Sequence, residues 1–413
     1  MANKFSNNKK VQILAAAVAD EMDYVKASVS KLSEADMANK KFGRSYNVYL
    51  PDPGKVIQGI KADAAELQEV EVPIYLDNFN TSLTLDAWEE KTDIEDFAAE
   101  VAKPHAVKLA RVEQKNIVEN NCFKSFQAVV KTGTPDFTLL SDAADALREL
   151  SIAGDVVDFQ GPSVLGKIAS GAIGKFFKDS KAEELYTKAY IGTFDSVDHI
   201  GLAVLPKLTY PTITTPTVSA SATASGNGFV IDSISGTGLI AGLPFKVVDD
   251  NLKPVKIVDP SGLETDQDLV IITTAVPDLT NGNPYDTRAN GKKIKTKVGI
   301  PQIRITKQGL ADGNPNAWCD SAAASFTLVP ILTAGKKYAI GQTRLADSLA
   351  FDGYKFKNLP GSENEAVATV GGVTAKMSMY GDGDYLEKMI RIDLPFGAGL
   401  MDPRFSVTTY LEL

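Results

Sequence analysis

Histidine, cysteine and tryptophan each occur only twice in 413 residues. Each scarcity excludes something. His105 and His199 sit in no HExxH or comparable ligand spacing, so nothing points to a metal or catalytic site built on imidazole. Cys122 and Cys319 stand far apart with no CxxC, which speaks against a zinc ribbon and a disulfide framework alike; they read as buried or half-buried thiols. The longest apolar run near the start, Val11 to Val18, is too short to span a bilayer and lacks a signal peptide's flanks. A cytoplasmic product with no membrane partner is therefore expected. The formal net charge of -9 argues against a dedicated DNA binder, whose affinity comes from many basic contacts to phosphate.

Reactive motifs are equally scarce. No GxxxxGK[ST] exists, and "GTGLIAG", Gly236 to Gly242, has the wrong offsets for a dinucleotide loop; it reads as a β-turn beside a buried strand. "YGDGDYLE", Tyr380 to Glu387, lacks most of a calcium loop and reads as a hairpin turn before a strand from Met389 to Leu394. Ser163 in "GPSVLG" is not flanked as GxSxG and reads as a helix cap. Asp198 beside His199 offers at most a lone acid-imidazole pair with no further motif around it. No catalytic residue, cofactor-binding residue or metal ligand is assigned, and the chain is not read as an enzyme.

What is present is ordinary soluble-protein composition, 44% hydrophobic and 23% charged, at a length that suggests about two to three domains. Val11, Leu14, Ala15, Val18, Met22 and Val25 recur at three and four residues, the stripe of an amphipathic arm. An extended, turn-rich stretch follows, with Tyr46, Val48 and Leu50 on one face before Pro51 and Pro53. Val70, Val72, Ile74 and Leu76 alternate as in a half-buried strand, and Thr81, Leu83 and Leu85 continue the pattern toward Trp88. Thr92 to Glu95 fits a capping box, opening a helix whose stripe runs Ile94, Phe97, Ala98, Val101, then Leu109 and Val112, with a kink or a break expected near Lys103 because of Pro104, and an end near Asn120.

Phe123 to Thr209 reads as mixed α/β. Ser141 is expected to cap a helix that turns Ala144, Leu147 and Leu150 inward, and a second helix is expected from Pro162 to Phe177. From Tyr210 the composition turns to Ser, Thr and Gly with short β-branched pieces, so a separate all-β unit is expected, able to fold on its own as a small barrel or sandwich. The end returns to mixed composition with the alternating strands "KMIRIDLPFG" and "FSVTTYLEL". The fold class read from this is α+β.

The lysine run Lys292, Lys293, Lys295 and Lys297 is the most distinctive charge feature. It is either a solvated edge that discourages strand pairing or a patch that meets an acidic neighbour. For the second case the best acidic candidate is "DPSGLETDQD", with Asp259, Glu264, Asp266 and Asp268.

The order of these parts carries a resemblance. "NVYLPDPG" (Asn47 to Gly54), "LQEVEVPIYLDN" leading into "IEDFAAEVAKPHAVKLARVEQKNIVENN", "VLPKLT" (Val204 to Thr209) before the β unit, and "GDGDYLEKMIRIDLPFG" near the end make the chain similar to major capsid (coat) proteins of tailed double-stranded DNA bacteriophages. Within them it resembles the Hong Kong phage-type (HK97-like) capsid fold, in its short-tailed Salmonella-phage (podovirus) form with an inserted domain. The resemblance implies an N-terminal helical arm at 1–34, an extended loop and strands at 35–88, and a spine helix of a peripheral domain at 89–122. It further implies an axial and peripheral α/β domain at 123–211, an inserted β domain at 212–328 and a return to both domains at 329–413. It implies an icosahedral shell subunit that assembles with itself as pentamers and hexamers in the host bacterial cytoplasm, with a scaffolding protein and a portal, around double-stranded DNA that it does not bind sequence-specifically. It also implies that the insertion faces outward near symmetry axes, where the lysine run would meet a neighbour. Two other readings stay open: a phage tail or adhesin structural protein, and an α/β enzyme with a β appendage.

Overall fold

The computed structural model describes residues 2–28, 45–51, 69–75, 77–86, 103–150, 154–172, 193–212, 218–225, 228–234, 238–249, 251–260, 264–277, 296–299, 303–306, 319–320, 326–353, 364–382 and 387–413. Its contacts group the chain into two compact units, one of Met1–Val48, Val72–Val118 and Leu349–Gly399, the other of Tyr49–Glu71, Glu119–Ser348 and Leu400–Leu413. Helices and strands are both plentiful, so the molecule is α+β as read from the sequence.

The first unit is a sheet with a helix on it. Helix α1 (Ala2–Glu21) and the short α2 (Asp23–Lys26) bury Val11, Leu14, Ala15, Val18, Met22 and Val25, the whole stripe expected from the period. Helix α1 packs on the hairpin of strands Asn364–Val370 and Val373–Asp382. That hairpin continues into strand Glu387–Leu400, which also pairs with Asp77–Asp86 and Leu349–Gly353. Asp382 pairs with Glu387, so the two strands flanking "GDGDYLE" do form a hairpin. One face of this sheet carries Ala375, Met377, Ile390, Ile392 and Leu394, all buried. The opposite face buries polar groups that are matched: Lys376 lies 3.4 Å from Glu365, and Arg391 grips Asp393 at 2.9 to 3.0 Å while Asn78 Nδ2 donates to the same carboxylate at 3.0 Å.

Helix α3 (Lys103–Cys122) has a different buried face from the one its apolar residues suggest. Leu109 is buried, but Val112 is 46% exposed; the face runs Ala106, Leu109, Ala110, Glu113, Gln114, Ile117 and Val118. Glu113 and Gln114 occupy core positions, so an apolar count misplaces the stripe. The capping box at Thr92 to Glu95 lies outside the described residues, as does the chain just before the expected kink.

The second unit is built on a mixed sheet in the order Gln127–Lys131, Ser406–Glu412, Lys337–Leu345, Val156–Gln160, Val197–Gly201, Thr193–Phe194, with Lys207–Thr209 also on the long central strand. Helices α4 (Phe137–Arg148) and α5 (Pro162–Ala172) cover one face, packing Leu139, Leu140, Leu147, Val164, Leu165 and Ile168 against Ala339, Val407 and Leu411. Ala144, Leu147 and Leu150 are buried as expected, but Ser141 is not the cap. The helix starts five residues earlier because Asp136 Oδ1 accepts from Thr138 N at 3.1 Å and from Thr138 Oγ1 at 2.6 Å, capping the first turn. Ser163 is not a cap either: it is exposed in the first turn of α5, where Gly161 O accepts from Val164 N at 2.8 Å.

Among the described residues, every strand between Val218 and Pro330 pairs only with others of that stretch. They form a nine-stranded sheet, from Glu264–Asp268 at one edge to Val270–Ile272 at the other, and a separate pair, Thr274–Pro277 with Thr296–Gly299. Of the glycine-rich "GTGLIAG", the described part, Gly238 to Gly242, carries turns ahead of the buried strand Pro244–Asp249. This β region is tied to the mixed sheet of its own unit by polar links. Phe126 donates its N–H to Pro403 O and accepts from Val270 N; Tyr410 Oη donates to Gly242 O at 3.0 Å. Gly242, at φ +94, is a position where any side chain is strained, and a Cβ there would sit only 3.0 Å from the Phe123 ring.

The strongest link is Arg404. Its guanidinium grips Asp402 at 2.6 to 3.1 Å and sends Nη1 to Val258 O and Asp259 O, each at 3.1 Å, with both side chains buried. Arg404→Ala leaves a buried carboxylate and two carbonyls unmatched, so it is expected to cost about 3–5 kcal/mol. Arg404→Lys restores little of this, because an ammonium cannot reproduce the fork. Urea unfolding of the full chain measures both.

Candidate functional site

Acid, imidazole, amide and hydroxyl groups converge in one place of the second unit, on the sheet face under α4 and α5. Strand alternation puts Thr343, Thr409, Asp158, Gln160 and His199 on that face. The Asp158 carboxylate accepts from Thr343 Oγ1 at 2.7 Å and Gln160 Nε2 at 2.9 Å, and pairs with His199 Nδ1 at 2.8 Å. Gln160 Nε2 also reaches Thr409 Oγ1 at 2.9 Å. His199 thus pairs with Asp158, its register neighbour on the adjacent parallel strand, and not with Asp198. Asp198 points the other way, exposed, and accepts from Thr193 Oγ1 at 2.7 Å.

This constellation has the members of a catalytic site without its access. The side chains of His199 and Asp158 are 1% and 0% exposed, so a substrate cannot touch the pair without opening the sheet-helix layer. Its chemistry is structural: a buried carboxylate held by three donors from three strands.

Among the described residues, the remaining reactive groups do not gather into a second cluster. Cys122 is buried, and burial pushes its thiol up to about 12, so it stays protonated and unreactive near neutral pH. His105 is half-buried in the first turn of α3. Lys124, just after α3, has its amine pushed down to about 8 by burial, a feature no motif announces. No group of three or more His, Cys, Asp or Glu suited to a metal ion occurs among the described residues. No described helix is long and apolar enough to cross a membrane.

The charged segments fall as follows. Lys292, Lys293 and Lys295 lie outside the described residues; Lys297 is in the strand Thr296–Gly299, paired with Val276. Of the acidic segment, Asp259 is buried, with its carbonyl taken by Arg404. Glu264 begins the edge strand Glu264–Asp268. Asp266 is exposed and gives its carbonyl to Lys256 Nζ at 2.6 Å. Asp268 is already matched inside the domain, by Lys246 and, at 2.9 Å, by Lys256. Burial alone would raise the Asp268 carboxyl, but the hydrogen bonds and charges of these two lysines outweigh it and hold the group below the usual aspartate range.

Comparison with known proteins finds no matching family model and no matching curated protein. Solved structures do match at low similarity. A structure titled Mycobacterium phage Che8 shares 9% identity at a TM-score of 0.42, over 92% of this chain and 88% of its own. The mature capsid of bacteriophage PhiM1 shares 10% at 0.41, over 94% and 86%. A virus-like particle from Pyrococcus furiosus shares 10% at 0.38, over 96% and 98%.

The Asp268 cluster yields a pH test. A carboxyl whose folded pKa is lowered binds fewer protons folded than unfolded, so its stabilisation is complete above the ordinary value of about 3.9 and is lost as pH falls through the lower folded value. Acid unfolding followed by circular dichroism is expected to show wild type more stable than Asp268→Asn above that point, with the two curves merging below it.

Proposed function

We propose that this chain is the structural subunit of an icosahedral capsid of a tailed double-stranded DNA phage, of the HK97-like type with an inserted β domain. One observation supports the reading above the others. Strands Gln127–Lys131, Val156–Gln160 and Val197–Gly201 interleave with Lys337–Leu345 and Ser406–Glu412 in a single mixed sheet, while the described strands from Val218 to Pro330 pair only among themselves. This connectivity supports reading the chain as a body interrupted by a β insertion, the order that the sequence resemblance implies. The arm on the 364–382 hairpin, the long helix and the absence of an accessible reactive centre among the described residues fit the same role.

In this role the subunit associates with copies of itself as pentamers and hexamers, guided by a scaffolding protein and joined to a portal. Shell subunits hold together by buried area and complementary edges, with no chemistry required. A net charge of -9 keeps the wall from gripping the enclosed genome, which must be packed and released. Negative-stain microscopy of the full chain, expressed with and without its scaffold, tests the proposal. Closed shells are the expected outcome; a compact dimer under every assembly condition counts against it.

The lysine run is proposed to dock on an acidic segment of an adjacent subunit. With Asp259 buried and Asp268 matched internally, Asp266 is the exposed carboxylate among the described side chains of that segment. Exposed pairs contribute only ~0.2 to 1 kcal/mol each, yet every equivalent contact in a shell repeats them. The double change Lys293→Glu and Lys295→Glu is expected to leave the monomer folded and to lower shell yield at low salt, with a smaller deficit as ionic strength rises. Unchanged yield at low salt assigns the run to a solvated edge.

A further inference from the structure

We draw no further inference here: the strongest candidate, the surface patch of Val367 and Val370 on strand Asn364–Val370, a sheet edge of the first unit among the described residues, is an exposed apolar patch for which nothing in the structure shows what covers it.

Discussion

A carboxylate buried beyond the reach of water has to be met by donors from the protein itself, and in the second unit that requirement ties the sheet together. Asp158 is answered by Thr343 on the central strand, Gln160 on its own strand and His199 on the next, while Gln160 continues the chain of bonds to Thr409. Four strands are thereby linked on one face. A slip of one residue in any of them would turn its polar member to the opposite face and leave the carboxylate short of a partner. Gly341 is part of the same constraint. A Cβ there would fall 2.3 Å from Gln160 Oε1 and 2.5 Å from Thr409 Oγ1, so the central strand has to be bare where the amide and hydroxyl cross it. Helices α4 and α5 then close over the network with aliphatic side chains, which deepens the burial that makes the bonds necessary.

Local periodicity was enough to find the elements and insufficient to find their partners. The stripe of α1 was legible because its buried positions are all apolar, and the strand that follows "GDGDYLE" was legible from alternation. Val112 was misplaced because Glu113 and Gln114 take core positions that an apolar pattern cannot mark. The start of α4 was missed although its signal is present: Asp136 is as good a cap residue as Ser141 and stands three residues before Leu139, the first buried residue of the helix. His199 shows the other limit. Alternation already implies that Asp198 and His199 face opposite sides, but that the true partner is Asp158 depends on a parallel register 41 residues apart, which no local pattern contains.

The charged residues divide along the same line. Read as a string, "DPSGLETDQD" is a block of negative charge. Folded, it has Asp259 buried and Asp268 neutralised by Lys246 and Lys256, on strands that meet it only through the sheet. The charge that such a segment can offer a partner is therefore smaller than its composition, and only the tertiary pairing decides which carboxylates are spent.

The attachment of the β region raises the question of why a buried ion pair serves where apolar packing would do. Desolvating Arg404 and Asp402 costs much of what their attraction returns, and a well-packed apolar replacement of a buried pair is often as stable. What the guanidinium adds is direction. Asp402 fixes one side of the fork, at 2.6 to 3.1 Å, so the remaining Nη1 donors can meet only carbonyls placed where Val258 and Asp259 place them. An apolar contact would tolerate sliding by fractions of a side chain, whereas this one is satisfied in a single register of the two segments. For a subunit proposed to repeat identically around a closed shell, small errors of shape in each copy would accumulate across contacts. An attachment selected for one geometry, at little gain in stability, is the kind that such a molecule needs.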